Sequence, residues 1–144
     1  MKFIGLSVLT SLALLASEKS VKFETLPAAV QAAMKQQTQG STIVGYSKEV
    51  DKGKTTYEVE TKMNGKTRDM EFDPSGKLLI TEQEIEMSDV PAPAKASIEK
   101  QANGAKITKI ERVTEGAAVR YEAVITKGKK SSEFVVNPDG SAHH

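Results

Sequence analysis

Apolar residues recur every four positions in two stretches of the chain, each beginning beside a proline. Pro27 and Pro91 suit the first turn of a helix, where no amide hydrogen is needed, and a threonine or aspartate stands two positions before each as a candidate cap. Gly40 and Gly104 are suited to end the two helices. The spacing predicts two helices with one apolar stripe each. The stripes are Leu26, Val30 and Met34 in the first, and Val90, Ala94 and Ile98 in the second.

Each predicted helix is followed by segments in which apolar and polar residues alternate, the period of a half-buried β-strand. Tyr57 and Val59 alternate with Glu58 and Glu60, so one face of that strand is apolar and the other acidic. Glycine-containing turns of two or three residues separate the strands, which predicts antiparallel hairpins. The predicted strands cover residues 42–50, 54–63 and 66–72 after the first helix, and 106–114, 117–126 and 129–136 after the second.

The chain contains the same unit twice. Residues 26–76 align with 90–140 at an offset of 64 without a gap, with 11 identities in 51 positions, where about three are expected by chance. This predicts an α+β fold in which a helix plus an antiparallel sheet of three to four strands is duplicated in tandem. A continuous antiparallel sheet with both helices on one face buries more apolar surface than two separate small domains, so it is the expected arrangement.

The sequence predicts three parts for the chain. Residues 1–17 have one lysine, an apolar core and small residues at the end, which is typical of a signal peptide and too short for a membrane span. Residues 18–87 form the first repeat, with a fourth strand predicted over 77–87. Residues 88–144 form the second repeat, which is shorter at its end. The expected location is periplasmic or secreted, and the cleavage position is open.

A candidate calcium loop at 69–73 is better explained as a strand followed by a turn. Asp73 opens the sequence DPSG, and the second repeat has NPDG at the same place. Both are typical of type I turns, whereas a calcium site would not readily exchange a carboxylate for an amide. Asp69 and Glu71 alternate with apolar residues as on a strand. We expect no metal site and no cofactor.

Composition and charge exclude several classes of function. Without Lys2 the chain has 19 basic and 19 acidic residues, so neither nucleic acid nor an anionic membrane is expected as a partner. The chain has no cysteine, and residues 18–142 have no histidine, which excludes the usual nucleophilic triads and zinc sites there. Glu58 and Glu122 recur at equivalent positions and could form an acid/base pair. A solvated face with ordinary pKa values is the expectation, so no enzyme is predicted.

The signal peptide, the two helix-plus-hairpin units, their Leu/Val-Pro helix starts and their (Asp/Asn)-Pro-x-Gly turns together resemble the PepSY-like, beta-lactamase-inhibitor-like exported bacterial proteins. The resemblance covers residues 26–140. It implies the fold of beta-lactamase-inhibitor protein and a non-catalytic role outside the cytoplasm, with inhibition of an enzyme suggested by the fold. It implies no functional residues in this chain, and the absence of cysteine departs from the disulfides of beta-lactamase-inhibitor protein.

Three hypotheses of function follow. The first is an exported binding protein that engages a protein or peptide through a sheet face or hairpin loops. The second is an inhibitor of an exported peptidase or beta-lactamase, and the third is a hydrolase based on carboxylates. The last predicted strand also leaves an edge that could pair in a homodimer. The candidate partner-binding residues are Glu58, Glu60, Glu122, Asp51 and Lys52.

Overall fold

The computed structural model describes residues 18–143, so the predicted signal peptide at 1–17 lies outside the described residues. It contains one eight-stranded antiparallel sheet in which the strands follow one another in chain order. Every connection is therefore to a neighbouring strand. The strands are β1 Lys19–Ser20, β2 Thr42–Asp51, β3 Lys54–Met63, β4 Lys66–Phe72, β5 Leu78–Glu84, β6 Lys106–Glu115, β7 Ala118–Lys127 and β8 Lys130–Val136.

Two helices lie between strands, α1 Ala28–Gln37 and α2 Ala92–Ala102. Both begin directly after the predicted prolines. The predicted side-chain caps are wrong, because Thr25 and Asp89 instead end short 3-10 helices just before the prolines. Asp89 accepts a hydrogen bond from the amide of Glu86 within that turn. The prolines thus begin the α-helices without a side-chain cap.

The apolar stripes are buried as predicted. Around α1 they form a core with β3 and β4, and around α2 a second core with β6, β7 and β8. Met70 pairs with Thr81, and Thr81 pairs with Thr114 across the junction of the two units. Residues that pair in this way lie on the same face of the sheet, so both helices cover the same face. The residues of the two cores that are completely buried include Val30, Val59, Phe72, Ala94, Ile98, Ala123 and Val136.

The two turns that contain the sequence Pro-x-Gly contact the helices directly. Asp73 accepts hydrogen bonds from the amides of Ser75 and Lys77, which confirms that it opens a turn. Gly76 follows at φ +84° with its Cα against the backbone of α1. Gly140 lies in the same way against α2, where Ser97 donates a hydrogen bond to its carbonyl. These glycines are needed both for their backbone conformation and for their lack of a side chain.

The duplication also includes β1 and β5, the strands that precede the two helices. β1 pairs with β2 through Ser20↔Ser47, and β5 pairs with β6 through Glu84↔Glu111. Both pairings fall at the same place in their repeats, since the residues differ by the 64-residue offset. β5 therefore joins the two repeats into one sheet. At the other end, β8 is bridged on its outer side by Ala142, which pairs with Val136.

Candidate functional site

The face of the sheet opposite the helices forms an acidic cavity. It encloses about 340 Å³ and is lined by residues of seven strands, β2 to β8, so the open face is concave. Seven carboxylates and two lysines line it, which gives a formal charge of −5 when all are ionised. The carboxylates are those of Glu58, Glu60, Asp69, Glu82, Glu111, Glu122 and Glu133, and the lysines are Lys62 and Lys109.

The sheet register places like charges directly opposite one another. In one row, Glu60 on β3 pairs with Asp69 on β4, which pairs with Glu82 on β5. In a second row, Glu111 on β6 stands between Glu84 on β5 and Glu122 on β7. Like charges directly opposite in a sheet destabilise it. The open face therefore carries a cost in stability that the fold itself does not require.

Lys109 is one of the two lysines of this cavity, and it forms an ion pair there. Its Nζ lies 2.5 Å from Oε1 of Glu111, in an ion pair whose carboxylate is almost fully buried. Burial lowers the pKa of Lys109, but the hydrogen bond from its ammonium to Glu111 and the nearby acidic charges, Asp69 among them, outweigh burial and raise the pKa. Lys109 directly follows a bulge in the β6–β7 pairing. The position of its side chain therefore depends on this irregularity in β6.

Burial changes the acidity of the two recurrent glutamates. It raises the pKa of Glu58 to about 8, with the charge of Asp69 adding to the effect. It likewise raises the pKa of Glu122 to about 8, helped by Glu133 and Glu111. The expectation that this face would be solvated and leave carboxylate pKa values unchanged is therefore wrong. Both glutamates line the cavity, where neighbouring side chains remove part of their water.

Three carboxylates from different strands converge at the seam between the repeats. Asp69, Glu82 and Glu111 each place one oxygen so that all three lie within 4.8 Å of one another. Burial raises the pKa of Asp69 to about 6 and that of Glu82 to about 7, the latter also through the charge of Glu111. The expectation of no metal site rested on neighbours in sequence, Glu71 and Asp73. The structure groups Asp69 with two other strands instead.

Two glutamates in the cavity have carboxylate oxygens without a polar partner. Glu122 is only 5% exposed, and among residues 18–143 it forms no ion pair and accepts no hydrogen bond on its side chain. Oε1 of Glu133 is buried and has no hydrogen-bond partner either. Buried polar groups in proteins are almost always paired. These two carboxylates are therefore without the partners that buried polar groups usually have.

The structure brings three of the five sequence-predicted residues together and separates the other two. Glu58, Glu60 and Glu122 line the acidic cavity. Asp51 and Lys52 lie at the β2–β3 turn, outside the cavity, where both are exposed. Lys52 has φ +48°, a left-handed conformation that suits the first position of a tight hairpin turn.

Sequence reasoning missed Asp69, Glu82, Lys109 and Glu111 as site residues. Asp69 was visible as a polar-face strand residue, but its neighbours Glu82 and Glu111 are 13 and 42 positions away in the chain. The signal that could have found them was the strand order. Counting from the β3–β4 turn places Glu60 opposite Asp69. A register shift between Glu71 and Phe72 then brings Glu82 opposite Asp69, which counting from the β4–β5 turn would not predict.

The fold defines a class of small α+β proteins made of two tandem helix-plus-sheet repeats. The sequence matches the model of the family described as "Putative beta-lactamase-inhibitor-like, PepSY-like" in two segments, residues 14–79 and 63–140. The chain belongs to this family. The two matched segments agree with the duplication seen within the sequence.

Solved structures with the same fold come from Bacteroides. A periplasmic protein of Bacteroides eggerthii has a TM-score of 0.67 at 18% identity, covering 83% of this chain and 86% of that one. A BLIP-like protein of Bacteroides fragilis has a TM-score of 0.61 at 18% identity, over 83% and 84% of the two chains. A DUF2874 family protein of Bacteroides uniformis has a TM-score of 0.65 at 18% identity, over 82% and 86%. No curated protein matches in sequence.

These matches confirm the predicted α+β architecture and the resemblance to the family. The B. eggerthii neighbour is named a periplasmic protein, which accords with the expected location. Within residues 18–143, no helix is long and apolar enough to cross a membrane. At 18% identity these neighbours show the fold alone.

Proposed function

We propose that this protein is a non-catalytic, exported binding protein of the cell envelope, and that its open sheet face takes a basic segment of a protein or peptide. One observation carries the proposal: carboxylates stand directly opposite one another, and half-buried, across the strands of a concave face. A protein under no functional demand would place opposite charges or neutral residues at these positions. A cationic partner would relieve the repulsion.

The dimensions of the face suit an extended peptide. The cavity spans strands from both repeats, and its lining includes the apolar Val44 and Val124 beside the carboxylates. A lysine or arginine side chain combines an apolar stem with a charged end, which matches a lining of this kind. The deficit of positive charge inside the cavity, two lysines against seven carboxylates, determines the sign of the partner.

The test is peptide binding in the absence of divalent metal. Fluorescence anisotropy in EDTA would compare peptides of about ten residues that are rich in Lys and Arg with glutamate-rich and neutral peptides of the same length, since electrostatic complementarity governs such selection. We expect the basic peptides alone to bind, and salt to weaken their binding. Binding should tighten between pH 6 and pH 8.5, because the raised pKa values of Glu58 and Glu122, both about 8, make them ionise in this range.

A matched pair of double variants localises the binding. Glu58→Gln with Glu122→Gln removes two carboxylates from the cavity, and we expect affinity to fall by about tenfold or more, since charge-assisted contacts are each worth about 1.5–3 kcal/mol. Glu24→Gln with Glu99→Gln removes the same charge from the helix side and should leave affinity unchanged. Equal losses in both, or no preference for basic peptides, would refute the proposal.

A second candidate function rests on the β2–β3 turn. Residues 51–54 of the tip are all exposed at the end of two ten-residue strands, a shape that can enter an active-site cleft. On this hypothesis the protein inhibits an exported peptidase or beta-lactamase. Assays of a panel of secreted hydrolases at micromolar protein, with Lys52→Ala as the variant, test it. Absence of inhibition throughout the panel, or full inhibition by the variant, contradicts it.

A further inference from the structure

The open face of the sheet carries a second cavity beside the acidic one. It encloses about 450 Å³ and lies towards the β2–β3, β4–β5 and β6–β7 turns. We propose that the two cavities form one groove, and that the second cavity binds an apolar side chain of the basic segment held by the first. The inference rests on the proposed function and adds a sequence requirement to it.

Strand β3 runs along the floor of both cavities. Every second residue of a strand faces the same side of the sheet, and each open-face residue of β3 lines one of the two cavities. Lys62, Glu60 and Glu58 line the acidic cavity, and Thr56 and Lys54 line the second one. From residue 54 to residue 62 the strand covers about 26 Å at the usual rise per residue, a length that an extended peptide of about eight residues would span.

A small depression joins the two cavities. It shares Glu58, Asp69 and Glu82 with the acidic cavity, and it shares Glu71 and Ile80 with the second cavity. Because neighbouring cavities have lining residues in common, the open face has one groove along the direction of the strands. The acidic cavity is one end of this groove, and the second cavity is the other.

Three consecutive aliphatic residues, Leu78, Leu79 and Ile80, line the second cavity. A regular strand would present only every second residue to one face. The register shift in the β4–β5 pairing falls between Glu71 and Phe72, the partners of Ile80 and Leu78, and such irregularities redirect side chains. Leu78 is 36% exposed, so an apolar side chain placed against it would remove apolar surface from water.

The excess of negative charge continues from one cavity into the other. Four carboxylates and two lysines line the second cavity beside its aliphatic residues. A cationic segment therefore fits the full length of the groove better than a neutral one. A basic peptide with one apolar side chain matches both ends, whereas an uncharged apolar ligand would use the aliphatic end alone. The charged residues of the second cavity are Glu49, Asp51, Glu71, Glu115, Lys54 and Lys77.

The spacing of the two ends determines which peptide fits. Leu78 lies four residues from Glu82 along β5, a distance of about 13 Å. In an extended peptide, side chains an even number of residues apart point to the same side. A leucine four positions from a lysine can therefore enter the second cavity while the lysine contacts the acidic one. At a spacing of three positions the two side chains point to opposite sides.

The experiment measures peptide affinity for residues 18–144 by fluorescence anisotropy in EDTA. Three labelled peptides of the same length carry two lysines two positions apart. The first has a leucine four positions from the nearer lysine, the second has it three positions away, and the third has alanine in place of leucine. Each peptide is made in both sequence orders, so that either direction in the groove is covered. We expect one order of the first peptide to bind about fivefold more tightly than the other two peptides, from partial burial of its leucine.

A matched pair of variants locates the leucine of the peptide. Leu78→Ala should bind the alanine peptide as the parent does and lose most of the fivefold advantage of the leucine peptide, since the two changes remove one contact. Val50→Ala is the control. Val50 is 37% exposed, close to the value for Leu78, and lies between two residues of the second cavity, but the alternation of β2 turns it to the other face. It should keep the full advantage, and thermal unfolding checks that both variants fold.

The outcomes separate this inference from the proposed function. Equal binding of the leucine and alanine peptides, or equal binding at spacings of three and four, would overturn the apolar end of the groove. An unchanged advantage in Leu78→Ala, or a loss of it in Val50→Ala as well, would do the same. In each of these cases the basic peptides still bind, so the proposed function stands. Absence of binding by every basic peptide would overturn both.

Discussion

The two faces of the sheet follow opposite rules. The face under the helices is apolar and well packed, with Phe72 and Val59 fully buried in one core and Val136 in the other. The open face sets carboxylate against carboxylate, as at Glu60 and Asp69. The first face accounts for stability, and the second reduces it. The residues of one face therefore stabilise the fold, and the like-charged residues of the other do not.

The same difference appears between the repeats. Core positions keep their character at the 64-residue offset, as Val59 and Ala123 do, both fully buried. On the open face, Ser47 of the first repeat corresponds to Glu111 of the second, and Gly45 corresponds to Lys109. The charged pair at the centre of the cavity thus belongs to one repeat only. The cavity thus combines carboxylates shared by both repeats, such as Glu58 and Glu122, with an ion pair present in the second repeat alone.

The largest effect is expected on the covered face. Phe72→Ala should lower the free energy of unfolding by about 3–5 kcal/mol, because the side chain is fully buried and leaves a cavity. Urea denaturation measures it. Leu78→Ala is the control, since Leu78 is 36% exposed and should cost about 1 kcal/mol or less. Similar losses in the two variants would contradict the assignment of the core.

The second-largest loss of stability is expected at the turn of the first repeat that contacts α1. Gly76→Ala should destabilise the protein by about 2–4 kcal/mol, from left-handed strain and overpacking together. A Cβ there would lie 2.6 Å from the carbonyl oxygen of Ala29. Gly65→Ala is the matched control, because Gly65 has φ +79° with nothing within 4 Å, and should cost only about 1–2 kcal/mol. Equal costs would show that the contact with the helix is unimportant.

A smaller effect with the opposite sign is expected on the open face. The folded-state pKa values of Glu58 and Glu122 are about 8, against an ordinary 4.5. Between these values the folded protein holds protons that the unfolded chain has released, so stability is highest at acidic pH and falls as pH rises towards 8. Glu122→Gln removes one such group. We expect its Tm at pH 8.5 to exceed that of the parent by about 5 °C, with a flatter pH profile.

Thermal scans from pH 5 to pH 9 measure this profile. Glu99→Gln, which changes an exposed glutamate of α2, should follow the parent at every pH. A Glu122→Gln variant that is less stable than the parent at pH 8.5 would mean that Glu122 contributes to folding. The contrast between the two faces would then fail at that position.

The smallest effect concerns the edge of the sheet. Ala142 bridges to Val136, and the amide of His143 donates to the carbonyl of Val135, so the end of the chain covers part of β8. We expect residues 18–144 to be monomeric at micromolar concentration, and a chain that ends at Gly140 to form some dimer through the exposed edge. Size-exclusion chromatography with light scattering compares the two. A dimer of the longer chain would make edge pairing the leading mode of association.

Local chemistry was readable from the sequence because it depends on neighbours in the chain. Pro27 and Pro91 marked the helix starts, the alternation around Val59 marked a strand, and the repeat at 64 residues predicted one sheet with both helices on one side. Asp73 is a turn residue as predicted, since its side chain bonds only within the turn, to Ser75 and Lys77. The capping residues were read wrongly, because the 3-10 turns before the prolines have no separate signature.

The sequence by itself determined the repeat, the order of the elements and the polar character of the open face. The tertiary structure alone decided which side chains surround Glu58 and Glu122, and therefore that Glu58 is half-buried and Glu122 buried, both with raised pKa values. It also brought Asp69, Glu82 and Glu111 within 4.8 Å of one another. The physical reason is range: a hydrophobic period or a turn acts over a few residues, whereas burial and charge repulsion depend on which strands become neighbours.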